Sequence, residues 1–295
     1  MNKQRISEVV KSKILVSDGA WGTFLHKKGL LPGECPEKWC LDRPNDILDI
    51  AKSYIEAGSD MIETNSFGGT SFKLEHYGLS EEVSEINKAA AKISSQAAGE
   101  NKWVIASIGP TGKMTVMGDV TEEDFYNAFK IQSIALEKGG ADAICIETMS
   151  ALDEAVMAIK AAKENTSLEV IATFTFESDA EGGYKTMMGV SPAEAAEAAI
   201  NAGADIIGTN CGNGFKQMID IVKEMRTVNK DIPVLVHANA GLPRTVDGID
   251  IFPETPEMMA ELVPDIVKAG ANIIGGCCGT TPAHIKAIKE AVNKL

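Results

Sequence analysis

The feature that most constrains the fold of this chain is a short phrase that occurs four times. It reads Ala57-Gly58-Ser59-Asp60, Gly139-Gly140-Ala141-Asp142, Ala202-Gly203-Ala204-Asp205 and Ala269-Gly270-Ala271-Asn272. Each copy closes an amphipathic pattern with glycine, the residue that best tolerates the left-handed conformation ending a helix. Each then leads at once into a short apolar run. A repeated helix-to-strand turn of this kind implies parallel strands with helices between them.

Eight such apolar runs are predicted as strands: Ile14–Ser17, Met61–Thr64, Val104–Ile108, Ala143–Glu147, Val170–Phe174, Ile206–Thr209, Val234–His237 and Ile273–Gly275. Most are apolar throughout, as strands covered on both faces must be. The 3.6-residue pattern predicts helices at Asp46–Ala57, Glu81–Ala98, Glu122–Lys138, Ala151–Lys163, Pro192–Ala202, Phe215–Val228, Pro256–Ala269 and Pro282–Asn293. No Ser/Gly/Pro-rich linker divides them. The expected fold is α/β, a single (β/α)8 TIM barrel domain spanning 1–295. A doubly wound open sheet would show the same alternation. However, the glycine fingerprint of dinucleotide-binding sheets is missing after the first strand, where Asp18-Gly19-Ala20-Trp21-Gly22 stands instead.

The 295 residues carry a formal net charge of -14 and a pI of about 4.8. Such a surface repels phosphate backbones and anionic lipid, so neither nucleic acid nor membrane is expected as a partner. The segment Met1–Lys13 is polar and lacks the apolar stretch of a signal peptide. No apolar run approaches the roughly 18 residues of a membrane span. A cytoplasmic protein is expected, with its six cysteines reduced.

In a barrel, active-site groups collect on the loops after the strands. Seven of these loops carry conspicuous residues: Asp18-Gly19, Glu63-Thr64-Asn65, Gly109-Pro110-Thr111-Gly112, Glu147-Thr148, Asn210-Cys211-Gly212, Asn239-Ala240-Gly241 and Gly276-Cys277-Cys278-Gly279. Only one strand separates the loop bearing Cys211 from the loop bearing Cys277 and Cys278, so the three thiols are expected to converge. Three soft thiolates suit zinc and leave a fourth tetrahedral position open. Buried inert thiols, or a vicinal disulfide, are the alternatives. Cys145 lies mid-strand among isoleucines and reads as core; Cys35 and Cys40 lack a zinc-site spacing.

The phrase Gly275-Gly276-Cys277-Cys278-Gly279-Thr280-Thr281-Pro282, with His284-Ile285 beyond it, resembles the signature of the homocysteine S-methyltransferase family. Asp18-Gly19-Ala20-Trp21-Gly22-Thr23, Thr64-Asn65-Ser66-Phe67-Gly68, Gly109-Pro110-Thr111-Gly112, Asn210-Cys211 and Asn239-Ala240-Gly241 extend the likeness over almost the whole chain. Within the family the chain looks most like the homocysteine-binding module of cobalamin-dependent methionine synthases. Relatives using betaine or S-methylmethionine tend to differ just after the cysteine pair.

The resemblance implies Zn(2+) on Cys211, Cys277 and Cys278, with homocysteine bound through its thiolate and methylated to methionine. It places Asp18, Gly19 and Asn239 at the substrate and Glu147 at its ammonium group. One position departs: His237-Ala238 precedes Asn239 where methionine synthases tend to have Glu-Pro. His237 reads as a rim histidine satisfied by hydrogen bonds, with a proton carrier or a fourth zinc ligand as alternatives. The corrinoid fingerprint Asp-x-His-x-x-Gly does not occur in these residues. The expected methyl donor is therefore methylcobalamin on a separate corrinoid protein. A small-molecule donor such as S-methylmethionine or betaine, or a zinc- or thiol-binding module without turnover, are the alternatives. The loop Glu181-Gly182-Gly183-Tyr184 reads as either a mobile segment or a hairpin-like turn.

Overall fold

The computed structural model describes residues 3–118, 120–246 and 249–295; positions 1, 2, 119, 247 and 248 of the expected 1–295 span lie outside the described residues. Eight parallel strands form one sheet: β1 Leu15–Val16, β2 Met61–Glu63, β3 Trp103–Ile108, β4 Ala143–Met149, β5 Glu169–Phe174, β6 Ile206–Asn210, β7 Val234–Ala238 and β8 Ile273–Gly276. Their order is β1-β8-β7-β6-β5-β4-β3-β2. The ends of this series meet. Asp60 N–H donates to the Val16 carbonyl at 2.6 Å, Val16 N–H donates to the Asp60 carboxylate at 2.9 Å, and Glu63 N–H donates to Asp18 at 2.9 Å. The sheet thus closes into a (β/α)8 barrel, and the open-sheet alternative falls.

The last residue of the recurring phrase explains its recurrence. Asp142 bridges to Val104 in both directions, N–H to carbonyl and carboxylate to N–H, each at 2.8 Å. Asp205 does the same to Val170, again at 2.8 Å both ways. Asn272 does so to Val234 at 2.8 and 3.0 Å, and Asp60 to Val16 as above. Each Asp or Asn adds a ladder rung with its own side chain and fastens an even-numbered strand to the odd-numbered one before it. At β1–β2, where regular pairing is missing, this rung is part of the closure.

The helices are α1 Pro44–Glu56, α2 Val83–Ala98, α3 Glu122–Gly139, α4 Leu152–Asn165, α5 Pro192–Ala202, α6 Phe215–Val228, α7 Val263–Ala269 and α8 Pro282–Val292. Capping boxes at Thr121 and Ser191 start α3 and α5, and left-handed Gly140 and Gly203 end them. The predicted helix Pro256–Ala269 is instead two pieces, Pro256–Glu261 and α7, meeting at Leu262. Pro264 lacks the N–H that a continuous helix needs there. Short helices Ile6–Val9, Gly22–Lys27, Trp39–Asp42 and Ser71–Glu75 and a second hairpin, Arg244–Val246 with Ile249–Ile251, were not expected. The Gly182-Gly183 loop is a hairpin turn between Glu177–Ser178 and Tyr184–Lys185.

Alternation along the strands divides the barrel interior in two. Leu15, Met61, Ile105, Cys145, Ile171, Ile206, Leu235 and Ile273 pack with Ile6 and Val10 as an apolar plug. The Glu169 carboxylate seats the N-terminal helix from below by accepting from Ile6 N–H at 2.6 Å and Ser7 N–H at 3.1 Å. Towards the C-terminal ends the inward positions turn polar: Ser17, Glu63, Ser107, Glu147, Thr173, Asn210 and His237, all buried. No helix among the described residues is long and apolar enough to cross a membrane.

Candidate active site

Above this polar layer lies a cavity of about 330 Å³, open at the C-terminal rim. A backbone distortion brings Cys211 to it. Cys211 takes φ 59° and Gly212 φ 70°, a left-handed pair that turns the chain sharply off β6. A Cβ on Gly212 would lie 2.8 Å from the Phe176 carbonyl oxygen, so only glycine fits there. Cys211 N–H donates to the His237 carbonyl at 3.0 Å and Cys277 N–H to the Ala238 carbonyl at 2.7 Å, fixing both loops to β7. The three thiols are unbridged.

The three sulfurs lie within 4.8 Å of one another, and Cys211 Sγ to Cys278 Sγ is 3.9 Å. Tetrahedral zinc with bonds of about 2.3 Å requires sulfurs about 3.8 Å apart. The geometry therefore fits the ion. His237 does not complete this group of three, which argues against a fourth zinc ligand. The sulfurs share charge unevenly. Hydrogen bonds from the Cys277 and Cys278 thiols, aided by Gly212 N–H and the Asn239 side chain, bring Cys211 down to about 3 against the opposing effect of burial. Cys278 is pushed up to about 12 and Cys277 well above its ordinary value, first of all by their bonds to Cys211. Three thiolates need a cation among them.

The cavity lining is also acidic. Burial raises Glu147 to about 7, with Asp18 and Cys211 as further charge neighbours and the Ser107 hydroxyl bond opposing. Glu63 is raised well above the carboxylate range by burial, then by Glu147 and Asp18. Asp18 rises to about 6 through burial, although Glu63 N–H, Trp21 Nε1 and Ser17 Oγ all donate to it. A cation entering here would be held by preformed acceptors.

Of the expected substrate-binding residues, Gly19 and Glu147 line the cavity; Asp18 and Asn239 stand behind it. Asp18 is fully buried and works on the barrel seam and on Trp21. Asn239 is 3% exposed and reaches the Cys211 sulfur. His237 is not a satisfied rim residue. It is 1% exposed, its Nδ1 faces Glu63 at 3.5 Å, and its Nε2 has no partner. Burial lowers it to about 3, so it is neutral. Glu63, Ser107, Thr148 and Asn210 were not singled out as substrate-binding positions, yet Glu63, Ser107 and Thr148 line the cavity and Asn210 binds Glu147. Inward alternation at the last residues of each strand was the available signal.

A family model described as homocysteine S-methyltransferase matches residues 15–292. The methionine synthase of Mycobacterium tuberculosis is 31% identical, covering 98% of this chain and 25% of that protein. That of Mycobacterium leprae is 30% identical, covering 97% and 25%. The chain thus spans about a quarter of the length of these curated relatives. In fold it matches the metallated form of the homocysteine methyltransferase MmuM from Escherichia coli, with a TM-score of 0.79, 22% identity and coverage of 97% and 98%. With the matched model covering nearly all of its barrel, this chain belongs to the homocysteine S-methyltransferase family.

Proposed function

We propose that the chain is a zinc-dependent methyltransferase that converts homocysteine to methionine, with Cys211, Cys277 and Cys278 as the metal ligands. The observation that carries this reading is the convergence of three sulfurs within 4.8 Å of one another, one pair 3.9 Å apart, on the lining of the rim cavity. Zinc held by the three cysteines would supply an open position that acidifies a bound thiol towards neutral pH. The chain's own residues do the rest. Glu147, held by Ser107 and Asn210, receives the ammonium group beside the cysteines. Asn239 lowers the Cys211 thiol further. Together these groups orient a thiol amino acid with its sulfur at the cysteines and its lone pair available to the methyl carbon.

The donor in this reading is a protein-borne methylcorrinoid of the methylcobalamin type. Its support is the similarity to methionine synthases over nearly the whole chain and the Gly279-Thr280-Thr281-Pro282 phrase. The test is metal analysis of the reduced protein and of Cys211→Ala, followed by incubation with homocysteine and each donor. Zinc in the wild type, its loss in the variant, and methionine from methylcobalamin are expected. Wild type that takes up no zinc overturns the metal reading. Methionine formed only from S-methylmethionine or betaine overturns the donor and leaves the metal site standing.

A further inference from the structure

Strand β4 departs from its ladder at the rim. Pairing with β5 is regular from Ala143 to Ile146 and resumes only at Met149, opposite Phe174. Between lie Glu147 and Thr148, and both line the cavity, whereas neighbours on a regular strand face opposite ways. A bulge of this kind re-aims side chains. Thr148 takes φ 60°, a left-handed conformation that a β-branched residue adopts only when its surroundings impose it.

Asn210 imposes it. Its Oδ1 accepts from Thr148 N–H at 2.7 Å and from Thr173 Oγ at 2.7 Å. Its Nδ2 donates to Thr148 Oγ at 2.7 Å and to Glu147 Oε2 at 3.1 Å. Both amide hydrogens and both lone pairs of the oxygen are engaged, so the amide has one orientation. Because Thr148 Oγ accepts from Asn210, its own hydrogen is uncommitted at a residue that lines the cavity beside Glu147.

The cavity holds four carboxyl groups in or behind its wall, Glu37, Glu63, Glu147 and Asp18, but no lysine or arginine. An amino acid brings a carboxylate as well as an ammonium. The side-chain hydrogens of Trp21, Asn65, Ser66 and Ser107 already go to Asp18, the Pro36 carbonyl, the Ser107 carbonyl and Glu147. Thr23 and His237 also line the cavity, but Thr148 is the lining residue that shares Asn210 with Glu147. We propose that Thr148 is a specificity-determining residue whose hydroxyl donates to the substrate's α-carboxylate while Glu147 receives the ammonium, with Asn210 as the positioning residue that holds both. The inference rests on the reading of the substrate as a thiol amino acid.

The experiment measures binding by titration calorimetry on zinc-loaded protein, with zinc content checked in parallel. The ligands are homocysteine, 3-aminopropane-1-thiol (the same chain without its carboxylate) and 1-propanethiol. Thr148→Val keeps the shape and removes the hydroxyl; it should weaken homocysteine by about 10-fold or more and leave 3-aminopropane-1-thiol within about 2-fold. Thr148→Ser should bind homocysteine within about 3-fold of wild type. Thr148→Gly suits the left-handed backbone and lacks the hydroxyl, so it should discriminate as valine does even where valine disturbs the bulge. Equal weakening of both amino thiols, or homocysteine binding unchanged in valine and glycine variants, overturns the assignment. Wild type that binds homocysteine no better than 1-propanethiol overturns the amino acid reading itself, a result visible before any variant is made.

Discussion

Replacing Glu147 with Gln should flatten part of the pH dependence of stability. The Glu147 carboxyl titrates near 4.5 unfolded and near 7 in the folded protein. Between these values the folded state binds more protons than the unfolded one. Its contribution is therefore fully present below about 4.5 and lost as pH rises through about 7. The displacement corresponds to about 3 kcal/mol. Asp18, raised from 3.8 to about 6, acts in the same direction. His237 opposes: lowered from 6.5 to about 3, it destabilises the fold in acid and ceases to do so above about 6.5. The net slope of wild type mixes these, whereas the difference between wild type and Glu147→Gln reports Glu147 together with the part of the Glu63 and Asp18 shifts that its charge supplies. Urea unfolding of both proteins at pH 5 and pH 8 measures it. From pH 5 to pH 8 wild type should lose about 2–3 kcal/mol more than the variant, because part of the titration lies below pH 5. Parallel pH profiles would refute the claim that this carboxyl is held protonated by burial, and with it the picture of an acidic wall waiting for a cation.

Two further substitutions test the framework around the site. Asp18→Ala should cost about 2–5 kcal/mol in urea unfolding, because Glu63 N–H and Trp21 Nε1 lose their buried acceptor. Asp18→Asn should cost less than about 1 kcal/mol, since one amide oxygen can take both donors; an equally severe loss would refute the seam role. In Gly275→Ala the new Cβ would lie 2.8 Å from His237 Cδ2 and from Ser17 Cβ and 2.9 Å from the Asp18 carbonyl oxygen. An expected loss of about 1–3 kcal/mol follows, and unchanged stability would show that the imidazole has room to retreat.

Much of this molecule was legible in the sequence because its strongest signals are local. The phrase ending in Asp60, Asp142, Asp205 and Asn272 predicts helix stops and strand starts, and the eight barrel strands follow. What it could not show is why the fourth residue is Asp or Asn, since the rung each forms lies across a strand pair in space. The break at Leu262 was visible in principle as Pro264, but the apolar pattern runs on through it. The cysteine trio was legible because sulfur is rare and barrel topology alone brings the sixth and eighth loops together. Asp18 and Asn239 were harder. Their loops reach the rim, but whether a side chain faces the cavity or the wall behind it depends on a turn's dihedral angles. His237 was singled out, but the reading of it as satisfied by hydrogen bonds failed because it sits on the strand itself, facing inward, beside glycine and serine positions that let it cross towards Glu63 while Nε2 finds no partner.

The distribution of unpartnered polar atoms gives the site a physical logic. Of the seven buried side-chain atoms without hydrogen-bond partners among the described residues, Glu63 Oε1, His237 Nε2 and Asn239 Oδ1 belong to the layer at the cavity or just behind it. Each such atom costs about 1–3 kcal/mol, so their gathering at one end of the barrel is a localised destabilisation. Lower in the barrel no comparable cost is incurred: there the inward residues are aliphatic and sealed by Ile6 and Val10. The left-handed Thr148 and Cys211 add strain at the same end. A chain under selection for stability alone would replace Glu63 and His237 with an apolar pair, as large as the space allows. Keeping a carboxyl and a neutral imidazole 3.5 Å apart, under a cavity ringed by thiols and acids, is intelligible where a bound polar molecule supplies the missing partners. The same reasoning orders the two halves: the apolar plug supplies the stability that permits a strained, unsatisfied rim above it.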